Sequence, residues 1–143
     1  MDGTSGRPHD VFISHSSADE AVAADVVARL EERAVSSWVA PRDMTPAPAY
    51  AETLYYALEA APVFVVLMSA SANRSEHVAK ELAIADQMKK KIVPVMLEAF
   101  EATGAFCYYT RAMHFYSWAR DRDKVVERIA EQVTRARGPS PKG

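Results

Sequence analysis

The chain has 143 residues, of which 49% are hydrophobic and 25% are charged, and both values are ordinary for one globular domain. A net charge of −2 and a pI near 6.1 argue against nucleic acid as a direct ligand. The single cysteine, Cys107, excludes an internal disulfide and fits a reducing, cytoplasmic compartment. No apolar run is long enough to cross a membrane, and the polar start lacks a signal peptide's apolar region.

The two ends of the chain have the composition of tails. Residues 1–8 are rich in Gly, Ser and Pro, and residues 138–143 read Gly-Pro-Ser-Pro-Lys-Gly. We therefore expect a flexible N-terminal tail over 1–8, one folded domain over 9–137 and a linker over 138–143. A linker of this kind suits a connection to a sensor domain that this chain does not contain.

Strand and helix patterns alternate between the tails. Short β-prone or apolar runs predict five strands, at residues 11–14, 37–40, 63–68, 92–97 and 114–116. Helical patterns occupy residues 17–34, 50–60, 73–88 and 121–135. Residues 98–112 show no regular pattern and are expected to be irregular. The alternation predicts an α/β fold in three layers, with a central five-stranded parallel sheet flanked by helices.

Two local signals mark helix ends. The segment Ser17-Ala18-Asp19-Glu20 has the pattern of a capping box, which predicts that the first helix begins there. The run Lys89-Lys90-Lys91 lies at the expected end of the third helix, where cations suit the helix dipole. We interpret this run as a helix cap and not as a surface for nucleic acid.

Glu81 is the most informative residue of the chain. On a helical wheel it falls near the middle of the apolar side of the helix predicted over 73–88. That side is formed by Val78, Leu82, Ile84, Ala85 and Met88. A carboxylate on a core-facing side must be paired, neutralised or opened to a cleft. A functional role, a structural salt bridge and a slightly different helix register all remain open at this point.

Several kinds of site are missing from the sequence. It contains neither common glycine-rich phosphate loop, no G-x-S-x-G turn and no metal-binding spacing among its four histidines. The first strand is followed by Ser14-His15-Ser16-Ser17 and not by the paired acids of a metal-dependent receiver domain. These residues favour hydrogen bonding over metal binding. We expect the ligand site at the carboxyl edge of the sheet, where ligands of such folds bind.

Three blocks of the sequence resemble the Toll/interleukin-1 receptor (TIR) domain family. Residues 10–19, DVFISHSSAD, are similar to the family's opening D-V-F-I-S-[HY]-x-x-x-D. Residues 38–43, WVAPRD, resemble the second strand and the following BB loop of bacterial members. The third block consists of Ser69, Ser71, Ser75, Val78 and Glu81, ahead of Ile92-Val93-Pro94-Val95. The resemblance covers about residues 9–135 and implies the TIR (flavodoxin-like) fold.

The resemblance implies two kinds of function. Many bacterial, plant and some animal TIR domains cleave NAD+ between nicotinamide and ribose, whereas others only assemble signalling complexes. In the enzymatic members a glutamate on the third helix is required, and Glu81 occupies that position. Such a carboxylate can stabilise the cationic ribose that forms as neutral nicotinamide leaves. NAD+ would be the substrate, and no cofactor or metal is implied.

The leading prediction is therefore an NAD+ nucleosidase or cyclase that is active on assembly, as the effector of a bacterial antiphage defence or immune signalling system. The alternative is a non-catalytic TIR scaffold that binds other TIR domains. In either case the loop over residues 41–48 is implied to contact a neighbouring copy. This loop contains Pro46-Ala47-Pro48 and lacks the glycine that often follows its first proline in the family.

Besides Glu81, seven residues are candidates for substrate binding: Phe12, Ser14, His15, Trp38, Arg42, Asp43 and His77. The resemblance places Phe12 near the nicotinamide side. Phe12 and Trp38 are also compatible with core packing, and Ser14 and His15 with capping the turn. His77 is also compatible with an exposed position in the first turn of its helix. Arg42 suits either a pyrophosphate or a neighbouring subunit. His77 replaces a tryptophan that many catalytic members carry four residues before the glutamate, and it shares a helix face with Glu81.

Overall fold

The computed structural model of the chain describes residues 9–39, 48–111 and 113–137, without the side chains of residues 48–51 and 105. Its centre is one sheet of five parallel strands in the order β2-β1-β3-β4-β5. The strands are β1 (Val11–Ser14), β2 (Ser37–Val39), β3 (Val63–Met68), β4 (Lys91–Met96) and β5 (Tyr116–Ser117). The predicted five-stranded parallel sheet is confirmed, although β5 begins two residues later than expected.

Helices cover both faces of the sheet. They are α1 (Glu20–Glu31), α2 (Pro48–Ala60), α3 (Ala70–Asn73), α4 (Glu76–Gln87), α5 (Gly104–Thr110) and α6 (Arg122–Arg137). Helices α1 and α6 pack on one face, and α2, α4 and α5 pack on the other. Each face therefore has its own apolar core, as expected for a parallel sheet that is buried on both sides.

The alternation of side chains along the strands decides which residue meets which core. In β1, Val11 and Ile13 point towards α1 and α6, whereas Phe12 belongs to the core beneath α2 and α4. Phe12 lies in register with Trp38 of β2 and Phe64 of β3, and it stacks on both, with ring centroids 5.1 and 5.6 Å apart. Because the period is two, Ser14 has the same orientation as Phe12 and points towards α4.

The region around Glu81 differs from the prediction of one continuous helix over 73–88. The structure has the short helix α3, a break at Arg74 and Ser75, and then α4. Ser75 has an extended backbone, and its hydroxyl accepts a hydrogen bond from the Val78 amide. This N-cap restarts the helix, because the serine side chain replaces a backbone partner of the first turn. The break separates residues 70–73 from α4.

Two further local predictions were wrong. The segment 98–112 is not wholly irregular, because it contains α5, whose Phe106 is buried in the core under α4. The capping box at Ser17 is not formed: residues Ser17–Asp19 make a 3-10 turn, and α1 begins at Glu20 without a side-chain cap. Helix α5 is short and contains a single buried aromatic side chain, which explains why it left no clear periodicity in the sequence.

The lysine run does not cap α4 with its side chains. The end of α4 is closed by backbone hydrogen bonds from Lys89 and Lys90, with Lys89 in the left-handed conformation at φ 59°. The Lys90 ammonium instead donates to the carbonyl of Glu59, in the last turn of α2. Partial burial lowers the pKa of Lys90, and the nearby Glu59 carboxylate opposes that shift.

Candidate functional site

The candidate site lies at the carboxyl ends of β1 and β3. The chain passes from β1 to β2 on one side and then to β3 on the other, so the strand order reverses between β1 and β3. A crevice at such a switch point is the usual ligand site of open α/β sheets. Two polar segments leave the strands there, Ser14 to Ser16 after β1 and Ser69 after β3, and all of their side chains are buried.

Ser14 and Glu81 form a buried polar pair at this edge. The Ser14 hydroxyl donates a hydrogen bond of 2.7 Å to Oε1 of Glu81. Ser14 is 0% exposed and Glu81 is 3% exposed. The core-facing placement of Glu81 is thus confirmed: its neighbours Val78, Leu82 and Ala85 on α4 are buried in the same core. Packing of that apolar stripe fixes the helix, and the helix in turn presents Glu81 to the end of β1.

A second polar network joins the two strand ends. Oδ2 of Asp19 accepts hydrogen bonds from the hydroxyls of Ser16, at 2.8 Å, and Ser69, at 2.6 Å. Ser69 also caps α3 by accepting from the Ala72 amide at 3.0 Å. One carboxylate therefore fastens the segment after β1 to the segment after β3. Sequence reasoning assigned no role to Asp19 as a bridge, and its only signal was that it closes the first family block.

The structure places the other aromatic and histidine candidates in different surroundings. Phe12 is fully buried between Trp38 and Phe64, so its ring contributes to the core. Trp38 is partly exposed on the edge strand β2. His15 is buried, its Nδ1 lies 2.7 Å from the Ser16 carbonyl oxygen, and it lines a groove against α1. Ser14 is brought into direct contact with Glu81.

His77 lies in the first turn of α4 and is exposed to solvent. It forms one wall of a cleft of about 310 Å³ at the same edge of the sheet. The cleft is also lined by Ser16, Ser17, Ser71, Arg74, Ser75 and Glu76. Arg42 and Asp43 lie outside the described residues, so their relation to this cleft stays a prediction from the sequence.

The chemistry available at this edge is that of an oriented carboxylate beside a polar cleft. A carboxylate in low-dielectric surroundings acts strongly on any positive charge that develops next to it. Across residues 9–39, 48–111 and 113–137, no three His, Cys, Asp or Glu side chains converge as metal ligands. Within the same ranges no helix is long and apolar enough to cross a membrane.

Comparisons with known proteins agree with this fold. The sequence model of a family described as the TIR domain matches residues 11–125. The TIR domain of the Toll-related receptor TRR-2 from Hydra magnipapillata superimposes with a TM-score of 0.73 at 24% identity. That comparison covers 88% of this chain and 98% of the Hydra domain. No curated protein sequence matches the chain significantly.

Two further solved structures are similar to the chain. A TIR-STING receptor from C. gigas, solved in complex with 2′,3′-cGAMP, has 21% identity and a TM-score of 0.67 over 85% of this chain and 39% of the receptor. The heterodimer of the RPS4 and RRS1 TIR domains gives 16% identity and a TM-score of 0.58, covering 88% and 96% of the two chains compared. At these identities the similarity establishes a shared fold.

Proposed function

The chain belongs to the TIR-domain family, and we propose that it cleaves NAD+ between nicotinamide and ribose with Glu81 as the catalytic carboxylate. The observation that carries this proposal is the buried contact between Ser14 and Glu81 at the switch point of the sheet. Burying a carboxylate in an apolar core is unfavourable unless it is compensated. A domain that only docks onto partners has no need of a carboxylate at this position.

The proposed reaction uses the negative charge of Glu81 and no cofactor. As the bond between C1′ and the nicotinamide nitrogen breaks, the electron pair goes to the ring, which leaves neutral. The ribose becomes an oxocarbenium-like cation, and the carboxylate stabilises it in water-poor surroundings. Water then adds to C1′ and releases a proton, which gives ADP-ribose. Attack by a nitrogen of the adenine ring in place of water would give a cyclic ADP-ribose product.

Assembly is the proposed means of activation. Glu81 is only 3% exposed, so a ribose can reach its carboxylate only after the packing around it opens. We propose that contacts between TIR domains, including the loop over residues 41–48, open and complete the site. The RPS4 and RRS1 TIR domains, which share this fold, were solved as a heterodimer. A coupled sensor domain would gather copies and raise their effective concentration towards the millimolar range, as in a bacterial antiphage or immune effector.

The test is nicotinamide release by clustered wild-type protein and by the Glu81→Gln variant. Glutamine keeps an oxygen that accepts from Ser14 but removes the charge, so the fold should persist while the rate falls by at least about 10²-fold. Asp86→Asn is the matched control, because it removes an exposed carboxylate from the same helix. Wild-type turnover by the glutamine variant, at an unchanged melting temperature, would refute the assignment of Glu81.

A non-catalytic TIR scaffold is the second candidate. Two observations favour it: Glu81 is closed off from solvent, and the exposed His77 replaces the tryptophan found in many catalytic members. A scaffold would self-associate in the wild type and in Glu81→Gln alike, and neither would release nicotinamide from NAD+ even when clustered. Measuring association and nicotinamide release on the same samples separates the two functions.

A further inference from the structure

The cleft beside His77 has walls that are fixed to each other. One wall is the turn that follows β1, from Ser16 to Ala18, and the other runs from Ser71 to His77 across the break between α3 and α4. Asp19 joins these walls, because its carboxylate accepts from Ser16 on one side and from Ser69 on the other. The shape of the cleft is therefore set by hydrogen bonds and is present before any ligand binds.

The lining of the cleft combines hydroxyl groups with one guanidinium group. Arg74 is exposed, and its side chain makes no ion pair with any residue that the structure describes, whereas Arg29, Arg128 and Arg137 each pair with a carboxylate. Among the described residues of the lining, Glu76 is the one carboxylate. An arginine beside several hydroxyl groups suits a phosphate, whose oxygens accept from the planar guanidinium and from hydroxyls at once.

The position of the cleft relative to Glu81 identifies which phosphate it would hold. His77 precedes Glu81 by four residues on α4, which is about 6 Å along the helix axis. In a ribosyl phosphate, the phosphate stands at a comparable distance from the anomeric carbon. If that carbon is next to Glu81, the phosphate falls towards Arg74 and the hydroxyls of the cleft.

We propose that this cleft is a phosphate subsite, in which Arg74 binds the phosphate next to the nicotinamide ribose of the dinucleotide. Which dinucleotide is bound rests on the proposed function, but the binding of a phosphate does not. Arg74 touches the substrate far from the bond that breaks, so it acts in binding and specificity. Glu76 repels an anion in the same cleft, so Arg74 and Glu76 have opposite effects on affinity.

The experiment measures the dissociation constant of ADP-ribose by calorimetry at low salt. All proteins of this binding series carry Glu81→Gln, so that binding is compared in one inactive background. Arg74→Ala should weaken binding by about tenfold or more, because a charge-assisted hydrogen bond is lost. Arg74→Lys should retain part of the affinity, and Glu76→Gln should tighten binding by about 2- to 5-fold. Arg33→Ala is the matched control, an exposed arginine in the turn before β2 at the opposite edge of the sheet.

Two further ligands identify the group that is bound. Pyrophosphate should compete with ADP-ribose, whereas adenosine, which lacks phosphate, should bind Arg74→Ala and the parent protein equally. No measurable binding of ADP-ribose, or equal binding by the Arg74→Ala and parent proteins, would overturn the subsite. A second pair of proteins with Glu81 intact, wild type and Arg74→Ala, is assayed when clustered for NAD+ cleavage, which separates the subsite from the proposed function. Binding through Arg74 without NAD+ cleavage by the wild type would reject the enzyme and retain the subsite. Cleavage with an unchanged KM in Arg74→Ala would retain the enzyme and overturn the subsite.

Discussion

The two edges of the sheet carry polar networks of opposite character. At the carboxyl edge, Ser14 bonds to Glu81 and Asp19 bridges Ser16 and Ser69, and four of these five side chains are buried.

At the amino edge, Asp10 accepts from the Ser36 amide at 3.0 Å and from the Arg137 guanidinium at 2.8 Å, and His9 contacts the Ser36 hydroxyl at 2.6 Å. The bonds are of the same kind, but the groups of the amino edge are exposed or partly exposed.

This difference in burial distinguishes the candidate site at the carboxyl edge from the solvent-exposed surface at the amino edge. Exposed ion pairs contribute little to folding, typically 0 to about 1 kcal/mol, and tolerate loss. Buried polar groups are costly to leave without a partner, about 1–3 kcal/mol each, so loss of a partner at the carboxyl edge should be expensive. Among the residues that the structure describes, Ser14, His15, Ser16, Ser69 and Glu81 are buried at the edge where the strand order reverses. Substitutions at the two edges should therefore differ in their effects on activity, association and stability.

The largest expected difference concerns Arg42 and Arg33, which lie in the sequence beyond opposite ends of β2. Arg42→Glu should weaken self-association by about 2–5 kcal/mol and lower activity with it, because an interfacial charge is left without its partner. The free energy of unfolding should change by less than about 0.5 kcal/mol. Arg33→Glu should change neither property. Sedimentation measures self-association, and nicotinamide release measures activity. Loss of activity with intact self-association would indicate that Arg42 binds the pyrophosphate within one subunit. Charge reversal at Asp43 tests the same loop.

The next difference concerns two serines. Ser14→Ala should lower the free energy of unfolding by about 1.5–3 kcal/mol, because it removes a buried hydrogen bond to a carboxylate. Ser36→Ala, at the amino edge, should stay within about 0.5 kcal/mol. Ser14→Ala should also lower kcat with little change in KM, because Ser14 donates to Glu81, whereas a raised KM would indicate that Ser14 also holds the substrate. Urea unfolding measures the free energy of unfolding, and steady-state kinetics measure kcat and KM. Equal effects of the two substitutions would contradict the expected difference between the two edges.

A smaller difference is expected between the substitutions of two aspartates, Asp19 and Asp10. Asp19→Ala should cost about 1–2 kcal/mol, because the hydroxyls of Ser16 and Ser69 lose their common acceptor near the rim of the cleft. It should also weaken ADP-ribose binding, since the two walls of the cleft are no longer joined. Asp10→Ala should leave ADP-ribose binding unchanged. Calorimetry on both variants tests this, and a loss of binding in Asp10→Ala would contradict it.

The smallest expected effect is that of Arg137→Ala. Its ion pair with Asp10 is exposed on the arginine side, so its loss should cost about 0.2–1 kcal/mol. The difference from wild type should shrink in high salt, because salt screens exposed charges. Thermal unfolding at two ionic strengths measures the effect. A change in clustered nicotinamide release would show that the amino edge also takes part in function.

The sequence predicted most of the sheet because its strands are continuous apolar runs with clear boundaries. It was less reliable where a single side chain redirects the backbone. Ser75 splits the helix predicted over 73–88, and a serine at that position is equally compatible with the interior of a helix. Helix α5 was missed because its seven residues contain only one buried aromatic side chain, Phe106. Local signals of this size are outweighed by tertiary packing.

Some features of the candidate site follow from one local segment, and others depend on contacts between residues that are far apart in the chain. The core-facing position of Glu81 is a property of one helix, so a helical wheel could find it. Its partner Ser14 lies 67 residues away in the chain, and Asp19 lies 50 residues from Ser69. No periodicity in either segment specifies these contacts. They also changed the interpretation of the candidates, since Ser14 holds the carboxylate and Phe12 is packed into the core.

The sequence by itself therefore determined the layered α/β architecture and the family, and it singled out Glu81 as the candidate for chemistry, because hydrophobic periodicity and short motifs are local properties of a chain. The tertiary structure alone decided how that residue is held and what lies beside it. The register of β1 against β3 brings Ser14 to α4 and Asp19 to Ser69, and the break at Ser75 turns Arg74 towards the cleft. These are consequences of packing between distant segments, which a local pattern does not encode.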